Sequence, residues 1–261
     1  MGFWTHEHLI TIPATFIIFI SFSLVMRRLL IKKSYEVRMI PIKVIATILV
    51  VIEIGKQAVS ASLGYNLYHI PLHFCSIFLY VLPLMAFYRG KWQESVRSVA
   101  AACMTSLLFG MLIIPNVIYA RDKIPEFFSD YLSFHTVFFH NLVILALFLT
   151  EALDLHKPSG SKNEIVFVSL FGTCFVAIAA SASHLLQTNY SNFLYSTVSV
   201  IKTLTENMRL AMGEVATTVI YTASLALLHV LLLGVTYYIF MAICVAKEKL
   251  HHAIRLHLEK K

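Results

Sequence analysis

Long apolar runs, separated by short polar connections, occupy most of the chain. A helix needs about 20 mainly apolar residues to cross a hydrocarbon core of roughly 30 Å. The runs therefore predict an all-α, polytopic membrane bundle of about seven transmembrane helices, which forms a single domain over residues 1–261. The predicted spans cover residues 9–30, 39–64, 71–88, 96–120, 133–155, 164–187 and 214–245, and residues 246–261 form a basic cytoplasmic tail.

The segment 188–213 does not fit this pattern of apolar runs. It is mixed in composition and contains the stretch VIKTLTENMRLAMGEV, whose apolar positions recur at helical spacing. We expect this stretch to lie at the membrane interface or to re-enter the membrane partly, before the last span begins.

The distribution of Lys and Arg predicts the orientation of the bundle. Of the 21 basic residues, fifteen fall in the odd-numbered connections and the tail, two lie within the second span, and four fall in the even-numbered connections. Those four are Arg121, Lys123, Lys202 and Arg209. Because cytoplasmic loops carry an excess of Lys and Arg, the bias predicts an external N-terminus and a cytoplasmic C-terminus.

Composition supports a membrane protein and argues against other classes. Hydrophobic residues make up 58% of the chain, charged residues 13%, and the mean hydropathy is +0.76. The net charge of +7 comes mainly from clusters between apolar runs, where Lys and Arg meet lipid head groups rather than nucleic acid. We expect a multi-pass cell-membrane protein whose partners are membrane lipids. The four cysteines are scattered singly, which does not suggest a disulfide framework.

The polar residues within the spans lie mostly toward the predicted outer side. Ionisable groups inside a membrane are costly and usually face a bundle interior, a cavity or a partner. We therefore expect one outward-facing polar cavity that binds a substrate, with Glu53 and Lys56 forming a local ion pair three residues apart on one helix. The candidate residues for this cavity are Glu53, Lys56, His69, His73, Cys75, Asn116, His135, His140, Asn141 and His184.

Cys75 and His140 lie at similar depths, roughly one to two helical turns below the outer boundary. A facing imidazole can favour a thiolate and later protonate a leaving group, so the two residues could form an acyl-transfer pair. The alternative is that Cys75 is a small buried hydrophobe. His69 and His73 are four residues apart and could share a helix face, which with His135, His140 or His184 would also suit a metal. Pro71 lies between them, however, and no carboxylate or cysteine completes a recognised ligand set, so we predict neither a metal nor a cofactor.

The segment YHIPLHFCSIFLYVLPL, together with FFHN in the fifth span, resembles the YwaF-like integral membrane proteins of low-GC Gram-positive bacteria. The resemblance rests on Pro71, His73 and Cys75 at the opening of a middle span and on the downstream His140. It implies a bacterial plasma membrane protein. It also implies a distant similarity to animal transmembrane acyltransferases that remodel phospholipids, and hence catalytic roles for Cys75 and His140.

Two functional hypotheses follow, from different classes. The first is a phospholipid or lysophospholipid acyltransferase or transacylase, with a lipid acyl donor and acceptor. In it His140 acts as general base and then acid, while His73 or Asn141 orients it or stabilises the oxyanion. The second is a transporter or receptor-like protein that binds a small solute through Glu53, Lys56 and the outer histidines. A scaffold without a site of its own is a third reading.

Overall fold

A computed structural model describes residues 4–118 and 123–259 of the chain. These residues form α-helices joined by turns and short 3-10 segments, and the described part contains no β-strand. The helices are α1 (His6–Leu30), α2 (Tyr35–Arg38), α3 (Ile40–Ser62), α4 (Phe78–Phe87), α5 (Gln93–Ile113), α6 (Pro115–Ile118), α7 (Tyr131–Ala152), α8 (Lys162–Leu186), α9 (Ser199–Met212) and α10 (Glu214–Glu259). The 3-10 segments are Leu67–His69, Phe74–Ile77 and Tyr190–Asn192.

The fold class predicted from the sequence, an all-α membrane protein, is confirmed. Within the described residues, five helices are long and apolar enough to cross a membrane, namely α1, α5, α7, α8 and the part of α10 up to Leu250. The predicted spans 39–64 and 71–88 correspond to α3 and α4, which are not among these five. The last two residues of the predicted span 96–120, and the last two of the tail, lie outside the described residues.

The third predicted span begins later than the sequence suggested. Pro71 was expected in the first turn of a helix, but residues 70–73 are not helical, and α4 starts only after the 3-10 turn Phe74–Ile77. His73 has an extended backbone, with φ −69° and ψ 150°. His69 and His73 therefore do not share a helix face, contrary to what their spacing allowed.

Helix α5 is the centre of the bundle and packs against α4, α7, α8 and α10. Its buried positions are rich in small residues, among them Ser98, Ala100, Ala101, Ala102 and Ser106. Small side chains let helix backbones approach closely, which is how membrane helices pack without a hydrophobic driving force between them. The Thr236 hydroxyl of α10 donates to the Ala102 carbonyl at 3.0 Å and ties the two helices together.

The two ends of the bundle differ in character. We call one the basic end; it comprises residues 31–39, 88–92 and 153–161, with the adjoining turns of α1 from Arg27 and of α5 to Arg97 and with residues 244–248 of α10. Here Arg27 donates to Asp154 at 3.0 Å, and Lys247 reaches Asp154 at 2.9 Å. We call the other the histidine end; it comprises residues 63–77, 114–118, 123–130 and 187–213, with the adjoining turns of α3 from Glu53 and of α7 to His140. Here the Tyr190 hydroxyl donates to the Leu67 carbonyl at 2.6 Å.

The segment 188–213 forms a turn and an amphipathic helix at the histidine end. Helix α9 has no buried residue, and it packs against α10. Its apolar side chains Val200, Ile201 and Leu204 are exposed. Such a helix is typical of the membrane interface, one of the two placements that the sequence predicted. Helix α10 then has 46 residues, or roughly 69 Å at 1.5 Å per residue, so it extends well beyond one bilayer.

Gly55 sets the distance between α3 and α7, which leads to a prediction about stability. A Cβ atom at this position would overlap the Tyr131 hydroxyl, which donates to the Ile52 carbonyl at 2.9 Å. We expect Gly55→Ala to displace Tyr131 and to lower the free energy of unfolding by about 1–3 kcal/mol, measured by denaturation in detergent micelles. Gly234→Ala is the matched control, because a Cβ there meets nothing within 4 Å. Equal stability of the two variants would contradict this packing.

Candidate functional site at the histidine end

Glu53 lies at the centre of a buried polar cluster between α3 and α7. Its side chain is 9% exposed, and its carboxylate lies 2.8 Å from Lys56 Nζ, which confirms the local ion pair predicted from the sequence. The second oxygen lies 2.9 Å from His135 Nε2 on α7. Glu53 therefore joins two helices, and its negative charge is shared by two potential cations inside the bundle.

Gln57 extends this cluster to the connection after α3. Its amide donates to Glu53 Oε1 at 2.6 Å and to the His69 carbonyl at 2.8 Å, while the Tyr65 hydroxyl donates to Gln57 Oε1 at 2.7 Å. His69 Nδ1 lies 2.7 Å from the Ser60 hydroxyl. Burial lowers the pKa of His69, and the positive charge of Lys56 acts in the same direction, so His69 favours its neutral form.

His73 connects two segments that are far apart in sequence. Its Nε2 lies 3.1 Å from the Tyr68 carbonyl and must donate to it, while its Nδ1 accepts from the Ser191 backbone N–H at 3.4 Å. The ring also packs against Tyr68 and Tyr190, at centroid distances of 4.3 and 5.5 Å. With both ring nitrogens engaged, His73 holds the turn that leads into Cys75.

Ser191 completes this attachment from the other side. Its backbone lies in the left-handed region, with φ 49°, which is uncommon for a residue with a side chain. Its hydroxyl accepts from the Phe74 N–H at 2.6 Å. No pattern in the sequence indicates this role, because residue 191 lies in the segment 188–213, which does not fit the pattern of apolar runs. The strained turn fixes the backbone immediately before Cys75.

Cys75 and His140 approach the cluster from two different elements. Cys75 lies in the 3-10 turn Phe74–Ile77 and is half-buried. His140 lies on α7 and is 6% exposed, and its Nδ1 donates to the Thr136 carbonyl at 2.6 Å. A neutral imidazole that donates through Nδ1 carries its lone pair on Nε2, the nitrogen that can accept a proton.

Lys56 is close enough to each of these groups to interact with it electrostatically. Its ammonium pairs with Glu53 and interacts electrostatically with both Cys75 and His140. It interacts in the same way with His69, His73 and His135. Six of the ten residues expected in the polar cavity thus lie within electrostatic reach of the seventh, Lys56. That these residues line one substrate-binding cavity stays a prediction.

The comparison with known protein families covers nearly the whole chain. The model described as the TMEM164 family, a family of transmembrane proteins, matches residues 3–237. The chain belongs to the TMEM164 family. No curated protein and no solved structure matches this TMEM164-family chain. The YwaF-like resemblance, and the acyltransferase activity that it implies, remain predictions.

Three candidate residues of this TMEM164-family protein have other surroundings. His184 Nε2 lies 3.0 Å from the Thr222 hydroxyl, between α8 and α10. The Asn141 amide donates to the Val137 carbonyl of its own helix at 2.9 Å. Asn116 lies half-buried on α6, which packs against α5 and α7. His73 has its Nε2–H engaged with the Tyr68 carbonyl, whereas Asn141 has a second amide N–H beyond the one that the Val137 carbonyl accepts. The expected role of either residue as an oxyanion donor stays a prediction.

The remaining site residues were not evident in the sequence. Gln57, Ser60 and Tyr131 contact the cluster, but each is an ordinary polar residue near a helix end. For the two residues on α3, spacing was the one available signal. Gln57 and Ser60 follow Glu53 by four and seven residues and share its helix face. Within residues 4–118 and 123–259, no group of three or more His, Cys, Asp or Glu side chains could hold a metal ion.

Proposed function

We propose that this protein is a phospholipid or lysophospholipid acyltransferase or transacylase, with Cys75 as the nucleophile and His140 as the general base and acid. The observation that carries the proposal is that the turn bearing Cys75, which His73 and Ser191 hold in place, and His140, on α7, both belong to the polar cluster near Lys56. A nearby cation offsets part of the cost of burying a thiolate, which is the reactive form of cysteine. An imidazole that accepts through Nε2 has the tautomer that a base requires.

The proposed reaction has two transfers. In the first, His140 takes the thiol proton, Cys75 Sγ attacks the ester carbonyl of a phospholipid, and the C–O bond to the lysolipid breaks as His140 returns the proton to its alkoxide. In the second, His140 takes a proton from the hydroxyl of the acceptor lysolipid, whose oxygen attacks the thioester. The C–S bond then breaks, and the Cys75 thiol is restored with the proton from His140.

The surrounding residues support this chemistry in distinct ways. Lys56 provides positive charge for the thiolate and for the oxyanion of each tetrahedral intermediate. Glu53 holds Lys56 and His135 in place, at 2.8 and 2.9 Å. His73 and Ser191 are positioning residues, since they fix the backbone of the turn that carries Cys75. The acyl chains are apolar, and the bilayer supplies them directly to a site between membrane helices.

The proposal includes a membrane topology. We propose that α3 and the unit formed by Phe74–Ile77 and α4 cross the cell membrane together with the five long apolar helices, for a total of seven spans. The excess of Lys and Arg at the basic end then directs that end to the cytoplasm and the histidine end to the outside. The reaction would occur in the outer leaflet.

The alternative proposal is a transporter or solute-binding protein that uses the same cluster. Its support is the buried ion pair itself, because ionisable groups inside membrane helices are typical of solute and proton pathways. The two proposals differ in what Cys75 does. A thiol nucleophile is indispensable for acyl transfer, whereas a solute site built on Glu53, Lys56 and His135 does not need it.

The test is acyl transfer by purified protein in liposomes, with a phospholipid labelled in its acyl chain and an unlabelled lysolipid acceptor. We expect the wild type to move label to the acceptor and Cys75→Ala to move none. Cys174→Ala is the matched control, because Cys174 is exposed on α8 and should transfer label like the wild type. No transfer by folded wild type, or equal transfer by Cys75→Ala, would overturn the proposal.

A further inference from the structure

A second polar site lies at the basic end, on the other side of the bundle from Cys75. A cavity of about 570 Å³ opens there between the start of α5, the connection after α7 and residues 244–248 of α10. Ligand-binding cavities usually have volumes of about 300–1,000 Å³. This cavity takes no part in the reaction proposed above, and none of the residues that line it was a candidate in the sequence.

The floor of the cavity contains two buried side chains that can carry charge. The Arg97 side chain is 7% exposed, lies over the Tyr35 ring at 4.6 Å and pairs with Glu94. Its Nε–H is buried and has no hydrogen-bond acceptor among the described residues. The His156 side chain is fully buried, with Nδ1 3.3 Å from Glu94 and Nε2 2.9 Å from the Ser98 hydroxyl. Both side chains of this floor are thus held in place by contacts with Glu94, Tyr35 and Ser98.

Further hydrogen bonds behind this floor keep it rigid. Glu164 accepts from the Tyr237 hydroxyl at 2.8 Å, from the Ser159 hydroxyl at 2.8 Å and from the Ser98 hydroxyl at 3.1 Å. These contacts tie α5, α8 and α10 together directly beneath His156. A preorganised floor lowers the cost of ligand binding, because its side chains need no ordering when the ligand arrives.

The rim of the cavity consists of more exposed ion pairs. Lys157 pairs with Glu248 at 2.5 Å, and both side chains are more than half exposed. Lys247 pairs with Asp154 at 2.9 Å and with Glu151 at 3.0 Å. Exposed ion pairs contribute little to stability, so Lys157 and Glu248 can separate at small cost when a ligand offers its own charges.

The lining is balanced in charge, and this decides the class of ligand. It contains three carboxylates and three permanently cationic side chains, namely Glu94, Asp154 and Glu248 against Arg97, Lys157 and Lys247. A site for a simple anion would carry an excess of positive charge, whereas this one offers both signs at close quarters. A ligand with a phosphate and an ammonium group satisfies both.

We propose that this cavity binds a zwitterionic phosphorylated amino alcohol, of the phosphoethanolamine type. The guanidinium of Arg97 and the ammonium of Lys247 bind the phosphate, for which a guanidinium has matching donor geometry. Glu94 and Glu248 bind the ligand's ammonium group. Two sources share this chemistry, the head group of a membrane phospholipid and a free glycerophosphodiester. The proposal does not depend on the acyltransferase activity.

The experiment is isothermal titration calorimetry of the full chain, in a detergent without phosphate, with glycerophosphoethanolamine as the probe. We expect saturable binding, with affinity lowered about tenfold or more in Lys247→Gln, since one charge-assisted hydrogen bond is lost. Lys249→Gln is the matched control, because this exposed residue of the same helix does not line the cavity. Inorganic phosphate alone and ethanolamine alone should bind much more weakly.

A second measurement distinguishes the two sources. Native mass spectrometry of protein taken from bilayers that contain equal parts of phosphatidylethanolamine and phosphatidylglycerol should show retention of the zwitterionic lipid by wild type and Lys249→Gln, and loss of that retention in Lys247→Gln. Retention without binding of the soluble probe assigns the site to a lipid head group, and binding of the probe without retention assigns it to the free diester. Absence of both, phosphate bound as tightly as the zwitterion, or unchanged binding in Lys247→Gln would overturn the proposal.

Discussion

Replacement of His140 by glutamine should lower the rate of acyl transfer by a factor of about 10²–10⁴, the usual contribution of a general acid–base residue. Glutamine can still donate to the Thr136 carbonyl, as His140 Nδ1 does at 2.6 Å, so the change preserves the local contact. What it removes is the lone pair on Nε2. The measurement is the initial rate of label transfer in liposomes.

His229 offers a matched control for this variant. Its Nδ1 donates to the Leu225 carbonyl of its own helix at 2.8 Å, the same pattern as in His140. Its ring lies between Phe74 and Phe193, at 5.0 and 5.4 Å. We expect His229→Gln to retain transfer within a few-fold of wild type. If both variants lost activity equally, the loss would reflect general damage to buried histidines, and the catalytic role of His140 would be wrong.

Substitution of Glu53 by glutamine should destabilise the protein by about 3–5 kcal/mol, the usual cost of removing one partner from a buried ion pair. The Lys56 side chain is only 14% exposed, so its charge would remain inside the bundle without a carboxylate. The contact between α3 and His135 on α7 would weaken at the same time. The free energy of unfolding, measured by titration with a denaturing detergent, reports the change.

Glu36 provides the comparison for Glu53. It also contacts two cations, Lys43 at 3.1 Å and Arg89 at 3.0 Å, but its side chain is 60% exposed. Water screens such pairs, so Glu36→Gln should unfold nearly like the wild type. A Glu53→Gln variant as stable as Glu36→Gln would show that the cluster at the histidine end does not hold the bundle together.

Local patterns in the sequence were sufficient to predict the class of the fold and part of the site. Apolar runs of about 20 residues predict helices because each helix satisfies its own backbone hydrogen bonds in lipid. The pairing of Glu53 with Lys56 followed from their spacing on one helix. By contrast, the contact of Glu53 with His135 depends on how α3 packs against α7, which spacing within one segment does not determine.

The parts that could not be predicted depend on distant contacts. The late start of α4 follows from the attachment of His73 and Phe74 to Ser191, more than 100 residues further along the chain. The polar network at the basic end could not be predicted for another reason. Arg97 and His156 lie at a predicted helix end and in a connection, where charged residues are expected to face water, so their burial gave no signal in the sequence.

The central claim is that Cys75 carries the acyl group, and its most direct test is detection of the thioester. Wild-type protein is incubated with labelled phospholipid in liposomes without acceptor, quenched in acid, digested and analysed by mass spectrometry. The account predicts an acyl adduct on the peptide that contains Cys75, released by hydroxylamine and absent in Cys75→Ala. An adduct on another residue, or sustained transfer to a lysolipid without any acylated Cys75, would contradict it.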